Sequence, residues 1–451
     1  ELAPYDKPVM VNSPAPPNTY KEKIKKYKGL NYIFTRPGQT ITTGDGKVLE
    51  AGKMTLMKII KTPSTTRIRP YNSDQIVMDW VMAAGGKKVL HQKSKRPTAD
   101  KSARQIWQQQ FSKLDLAMAN ALGIVGELKR LSTNRQSFAK QGFTTINRVY
   151  YNILPHGTAE GRFASSGQRK GLDPNIQNQP KEIRKLFVPD SKDDCFLSVD
   201  ISQGENELTA LLSKDIRRMQ LLRSLDYDEH SETASIALGF EVDKKTYDAE
   251  GKPLRQIGKK INHMTNYGAG AKKVQEALTL EGFPFTIAAV KEMLVRLSLG
   301  RPQLTAWQKD VIAFVEANNF CCNPFGRKRW FQDNRFAPKA MAFGPASTLA
   351  DCVIRMMMCC YASQFQREIA ALNLAVCGDL PEGWELRIQV HDELCFHGPK
   401  KSLPEAARLV AAVMTQPWKA LDDFAFNIDM QASAVSWGNI KKYTIGEDLT
   451  W

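Results

Sequence analysis

The stretch Cys195–Asp215, CFLSVDISQGENELTALLSKD, decides the fold. Phe196, Leu197 and Val199 are apolar or branched, which predicts a short buried strand ending at Asp200. From Asn206 to Leu212 the pattern turns helical. A carboxylate is thus set where a strand stops, with its backbone fixed by the sheet and its side chain projecting beyond it, a good position for holding a metal ion. Asp at a strand end is also an ordinary turn former, so one such residue decides little. A second appears at Leu386–Phe396, LRIQVHDELCF, where Ile388 and Val390 alternate with Arg387 and Gln389 before His391, Asp392 and Glu393 interrupt the pattern. This predicts a hairpin with acids at its tip. If the two strands are neighbours, Asp200 and Asp392 can share a pair of divalent ions, the arrangement that aligns attacking and leaving oxygens in phosphoryl transfer. Mg²⁺ suits such a site, because it takes one or two carboxylates and completes its shell with water and phosphate oxygens. As an acid beside Asp392 in a regular strand, Glu393 is expected to point to the opposite face, outside the ligand set.

The composition fits that chemistry. The 451 residues leave room for two or three domains, and 42% apolar residues is ordinary for a globular protein. Lys and Arg number 63 against 47 acids, a formal charge of +16, which favours a polyanionic partner and salt-sensitive binding. No hydrophobic run approaches the length of a membrane span, and no secretory signal opens the chain, so no membrane partner is expected. The eight cysteines show no paired CxxC spacing, which suggests neither a zinc site nor a disulfide framework and is simplest in a reducing cytoplasm.

Between the two acidic segments lies Arg255–Gly268, RQIGKKINHMTNYG. Arg255, Lys259, His263 and Tyr267 recur every four residues, so a helix would carry them as one slowly winding stripe. A solvated basic face gives the same pattern. An aromatic at the end of two cations, however, is what a nucleotide pocket needs for stacking beside charge neutralisation.

Taken together, DISQGE at Asp200–Glu205, the Arg-Lys-Tyr-Gly helix and VHDE at Val390–Glu393 resemble, in order and spacing, the three polymerase motifs of family A DNA polymerases. That is the family of bacterial DNA polymerase I and related phage replicative enzymes. The resemblance covers roughly residues 71–451 and implies an α+β right-hand fold of thumb, palm and fingers, with an antiparallel palm sheet carrying both aspartates. It places the thumb at 71–148, the palm at 149–215 and 336–451, and the fingers at 216–335. Residues 1–70, rich in Pro, Gly, Lys and Thr, read as an irregular connecting segment. Relatives commonly carry an exonuclease upstream, but no acidic cluster of that kind occurs here, so none is expected in this chain.

The resemblance also assigns roles. Asp200, Asp392 and the main-chain carbonyl of Ile201 would hold two Mg²⁺ ions, with Mn²⁺ able to substitute. His230, in DYDEHSETASIALG, and Arg255 and Lys259 would meet the incoming triphosphate, with Lys259 placed to protonate pyrophosphate. Tyr267 would guard the insertion site, and Glu205 would block a ribose 2′-hydroxyl. Arg162 in GTAEGRFASS, Gln177 and Asn178 in DPNIQNQP, Arg335 and His391 would contact DNA. In HQKSKRPTADK, Lys93, Lys95 and Arg96 read either as a solvated face or as phosphate contacts. A long helix with Phe111, Leu114, Met118, Leu122 and Val125 on one face is expected to follow.

The chain departs from its family at His263, where Phe or Tyr is usual, at Met264, where Gly is usual, and at Pro345–Ala346, where a Gln that reads the minor groove is usual. Altered selection of the sugar and weaker mismatch sensing are the expected consequences. The implied partners are primer-template DNA and deoxynucleoside triphosphates, and nothing specifies a processivity factor. The connecting segment and the Gly-Ala-Gly at 268–270 lean toward a phage-type enzyme. Single-subunit RNA polymerases share the Asp, Arg-Lys-Tyr and His-Asp elements, but Glu205 and the His-Asp-Glu triplet favour DNA synthesis. The remaining alternative is a noncatalytic module that binds duplex.

Overall fold

The central strand, Asp194–Ile201, sorts its side chains strictly by parity. Cys195, Leu197, Val199 and Ile201 enter the main hydrophobic core, whereas Phe196 packs in a smaller cluster on the other face, the face shared by Ser198 and Asp200. One short segment thus supplies both the core and the acidic edge.

The structure is a computed structural model describing residues 73–91, 96–112, 114–134, 148–155, 157–166, 175–224, 226–332 and 336–447, with only the backbone of seven short strands described before residue 65. The chain divides into two compact units, Glu1–Lys129 and Arg130–Trp451.

In the first unit the backbone of the opening segment pairs into short antiparallel strands, among them Lys25–Tyr27, Leu30–Thr35 and Thr55–Lys58. The sequence reads as irregular there because Pro and Gly punctuation hides strands this short. Helix Asp74–Ala83 begins where the Ser73 hydroxyl accepts from the Ile76 amide, an N-cap that satisfies one of the helix's orphan donors. The expected long helix is two helices, Lys101–Ser112 and Leu116–Asn134. Asp115 causes the break: its carboxylate accepts from the Met118 amide at 3.0 Å and starts the second helix. Phe111, Met118, Leu122 and Val125 are buried with Trp107, but Leu114 is 76% exposed in the intervening turn and leaves the predicted stripe.

The second unit is built on a five-stranded antiparallel sheet in the order Glu385–Val390, Glu393–Pro399, Asp194–Ile201, Ile428–Ser433, Lys441–Lys442. Helices Ala337–Cys359 and Leu403–Met414 cover its core face through Leu349, Val353, Met356, Val410 and Met414. A helical lobe of Glu229–Leu238, Arg255–Asn266, Ala271–Leu280 and Ile287–Gly300 has its own core around Ile257, Ile261, Leu278 and Val290. Among the described residues no helix is long and apolar enough to cross a membrane.

Candidate active site

Antiparallel pairing brings carboxylates to the end of the central strand. Asp200 lies opposite Glu393 on one neighbouring strand and opposite Asp429 on the other, so the three share a face. Asp392 sits in the two-residue turn after Val390, where His391 takes a left-handed φ of 56° that costs a residue with a Cβ about 1 kcal/mol. Such strain concentrates at functional sites. Burial, followed by the charges of Asp392, Glu393 and Asp429, pushes the Asp200 carboxyl up to about 7. Burial raises Asp392 as well.

Two of these acids are engaged elsewhere. Glu393 accepts from the Ser198 hydroxyl at 2.5 Å and lies 3.6 Å from Arg184, and Asp429 accepts from the Ser202 hydroxyl at 2.5 Å. The expectation that Glu393 points away from the acidic face is therefore corrected. Asp392 belongs to the turn rather than to a regular strand, so Glu393 takes the face of Asp200, and its hydrogen bond to Ser198 draws it along the sheet.

Among the described residues no three His, Cys, Asp or Glu side chains are arranged to hold a metal ion. Asp200 and Asp392 fit an ion that needs only one or two carboxylates, as Mg²⁺ does. The raised Asp200 carboxyl fits as well, because ionising it against its neighbours is unfavourable and a divalent cation would relieve that repulsion. The Ile201 side chain is buried in the core, which leaves only its main chain to take part.

Glu205, in the first turn of helix Gly204–Leu212, joins this acidic edge to the helical lobe. It accepts hydrogen bonds from both Arg162 and the Tyr267 hydroxyl. Burial would raise its carboxyl, but these two donors outweigh burial and hold it below the ordinary value. The charges of Arg162 and Glu205 are in turn felt at Asp392. Arg162, read from the sequence as a DNA contact, is thus committed to Glu205 in this structure.

Helix Arg255–Asn266 presents the predicted stripe, with Tyr267 as its C-cap. Ile257, Gly258 and Ile261 are buried, while Lys259 and His263 are exposed on the opposite side. Arg255 makes a two-pronged contact with Asp228, Nε to Oδ2 at 2.5 Å and one Nη to Oδ1 at 2.9 Å. Asp228 is also the N-cap of helix Glu229–Leu238. Burial opposes its ionisation, but Arg255 and Ser231 hold its carboxyl down at about 2. His230, two residues beyond Asp228 on that helix, has a buried Nδ1 without a partner, and burial together with Arg255 lowers its pKa, so it is uncharged at neutral pH. His263 meets Tyr267 edge to face, with ring centroids 5.3 Å apart. Beside them opens a cleft of about 550 Å³ lined by Met264, Gly268, Lys272 and Lys273.

Of the remaining candidates, Gln177 is tied into the protein, accepting from the Ser165 amide at 2.9 Å and donating to Gln389 at 2.8 Å. Asn178, His391 and Arg96 are exposed, and Lys93, Lys95 and Arg335 lie outside the described residues. The sequence reading missed Asp228, Asp429 and Arg301. Arg301 is 5% exposed and donates to Asn262 and Thr233, each at 2.6 Å, fastening helix Arg255–Asn266 to helix Glu229–Leu238. An N-cap Asp two residues before His230 was the one legible signal among these.

Residues 86–439 match DNA polymerase family A. The chain is 25% identical over 285 residues to DNA polymerase I of Caldicellulosiruptor bescii, covering 60% of this chain and 30% of that protein. It is 28% identical over 283 residues to the thermostable DNA polymerase I of Thermus aquaticus, covering 59% and 30%. The chain thus spans about 30% of the length of the curated relatives it matches. A solved structure, the POL domain of Pol1 from M. smegmatis in complex with DNA primer-template and dNTP, superimposes with a TM-score of 0.63 at 21% identity, covering 83% of this chain and 62% of that one. The α+β polymerase fold is shared.

Proposed function

The chain belongs to DNA polymerase family A, and from that premise we propose that it carries out template-directed DNA synthesis, adding deoxynucleotides to a primer 3′-hydroxyl with release of pyrophosphate. The observation that carries the reading is the Glu205 junction. Its carboxylate binds Tyr267 at the end of the cationic helix, and its charge is felt at Asp392 in the acidic turn, so a triphosphate-binding face adjoins a metal-binding edge. The partners are primer-template DNA and deoxynucleoside triphosphates, and the Gly-Ala-Gly at 268–270 supports a phage-type replicative enzyme.

When bound by Asp200, Asp392 and the Ile201 carbonyl, two Mg²⁺ or Mn²⁺ ions supply Lewis acidity at the primer hydroxyl and the leaving pyrophosphate. The rest falls to the chain's own groups. Asp228 occupies the Nε and one Nη of Arg255 and orients the guanidinium, whose second Nη remains to meet a phosphate oxygen. Neutral His230 donates a hydrogen bond without adding charge. Lys259, exposed one turn beyond Arg255, carries a proton for the departing pyrophosphate. Tyr267, fixed through its hydroxyl to Glu205, forms the wall against which the nucleotide sugar and base pack, and the Glu205 carboxylate obstructs a ribose 2′-hydroxyl.

Three measurements bear on this reading. Wild type should extend a primed DNA template with deoxynucleotides far faster than with ribonucleotides. Preference for ribonucleotides would mark an RNA polymerase, and duplex binding without extension would mark a binding module. Glu205→Ala should erode the preference for deoxynucleotides by about a hundredfold in the ratio of kcat/KM values, the order expected when a group that excludes a hydroxyl is lost. An unchanged ratio would remove Glu205 from sugar selection. His263→Phe should change the dideoxy-to-deoxy incorporation ratio by about tenfold, because a ring able to hydrogen-bond is replaced beside the sugar. Equal ratios in the two proteins would show that His263 only fills space.

A further inference from the structure

Outside the site, the second unit carries a contiguous aromatic surface on the hairpin Phe320–Cys322/Lys328–Trp330. Phe320 and Trp330 are directly opposite each other, as are Cys322 and Lys328, so these four side chains share one face. The ring centroids of Phe320 and Trp330 stand 4.9 Å apart, and Phe314 from helix Pro302–Asn318 extends the row with its centroid 5.6 Å from that of Phe320. The Lys328 ammonium sits 4.7 Å over the Phe320 ring. Trp330 is nevertheless 65% exposed and Phe314 45% exposed. Cross-strand pairing would steady the hairpin, yet it leaves most of the indole in solvent and gives no reason for Phe314 to extend the row.

We propose that this row is a stacking platform for unpaired single-stranded DNA, namely the template strand outside the duplex. An unpaired strand exposes base faces that a duplex hides, and an exposed aromatic row beside a cation is the surface that binds such a strand without regard to sequence. Charge complementarity favours the same occupant: Lys328 shares the face of the rings, while Arg329, on the other face, pairs with Glu160 at 2.6 Å. The core of the hairpin is separate from the platform, since Cys321 is buried among Phe343 and Phe331. Trp330 can therefore change with limited effect on packing.

The proposal rests on the polymerase reading, and the test keeps the two apart. Binding of a labelled primer-template is measured with a blunt end and with a ten-nucleotide 5′ template overhang, alongside primer extension by wild type. The overhang should tighten binding to wild type by about tenfold, the low end of what a stacked base contributes. Trp330→Ala should lose that gain, Trp330→Phe should keep most of it, and all three proteins should bind the blunt duplex alike. Lys328→Gln should lower the salt dependence of overhang binding by about one counterion. The proposal is overturned if wild type gains nothing from the overhang, or if Trp330→Ala keeps the gain. It is equally overturned if Trp330→Ala abolishes concentration-dependent self-association while overhang binding persists, since the platform would then serve a second copy of the chain. Failure of wild type to extend any primer would defeat the polymerase reading instead, and the overhang comparison would still report on the platform.

Discussion

A single methyl group added at Gly258 is expected to destabilise the protein by about 3 kcal/mol and to raise KM for the incoming nucleotide. A Cβ there would stand 1.8 Å from the His230 carbonyl oxygen and 2.7 Å from the Ala234 amide nitrogen. Both are backbone atoms of helix Glu229–Leu238, so no side-chain rotation can relieve the clash. The two helices must part or turn, which carries His230 away from Arg255 and Lys259. Chemical denaturation reads the first effect and single-nucleotide kinetics the second. Gly126→Ala is the control: its nearest neighbour would be Arg104 Nε at 3.8 Å, and in a helix the change should be neutral or stabilising by up to about 1 kcal/mol. Equal, small effects at both positions would show that the helix contact tolerates a side chain.

Asp200→Asn should produce effects of opposite sign on activity and stability. Nucleotide addition should fall by about a thousandfold or more, as expected when about 4 kcal/mol of transition-state stabilisation is removed. Stability without divalent ions should rise. Because the Asp200 carboxyl is held up at about 7, against an ordinary 3.8, the folded chain binds its proton more tightly than the unfolded chain does. Its contribution to stability is therefore full below about pH 4 and is lost as pH rises through about 7. At pH 8 the ionised carboxylate should cost on the order of 2 kcal/mol after allowance for solvent screening of a half-buried group. Thermal melts at pH 8 should then show the Asn protein as the more stable, with the gap closing toward pH 4. Added Mg²⁺ should stabilise wild type more than the variant, because only wild type offers the full carboxylate pair. A gap that ignores both pH and Mg²⁺ would contradict the electrostatic account.

Legibility in the sequence followed the range of the forces involved. The central strand could be read because the alternation of Cys195, Leu197 and Val199 with Phe196, Ser198 and Asp200 reflects burial on two different faces. Helix Arg255–Asn266 could be read because its buried and exposed sides differ at helical spacing. The break at Asp115 was hidden, since Leu114 continues the apolar spacing while a capping carboxylate ends it one residue later. Asp429 was hidden for a different reason. Its approach to Asp200 depends on which strand pairs with which, and sheet order is not written in local pattern. The same holds for Asp228 with Arg255 and for Arg301 with Asn262, contacts between helices that only the packed lobe brings together.

Single-turnover addition of one templated deoxynucleotide to a primed DNA duplex in Mg²⁺ tests the central claim most directly, with wild type and Asp392→Asn measured side by side and duplex affinity measured for both. The account predicts fast, template-matched addition by wild type and addition slowed by about a thousandfold in the variant at unchanged duplex affinity. Comparable rates in the two proteins would contradict it, because the acidic turn would then have no part in the chemistry.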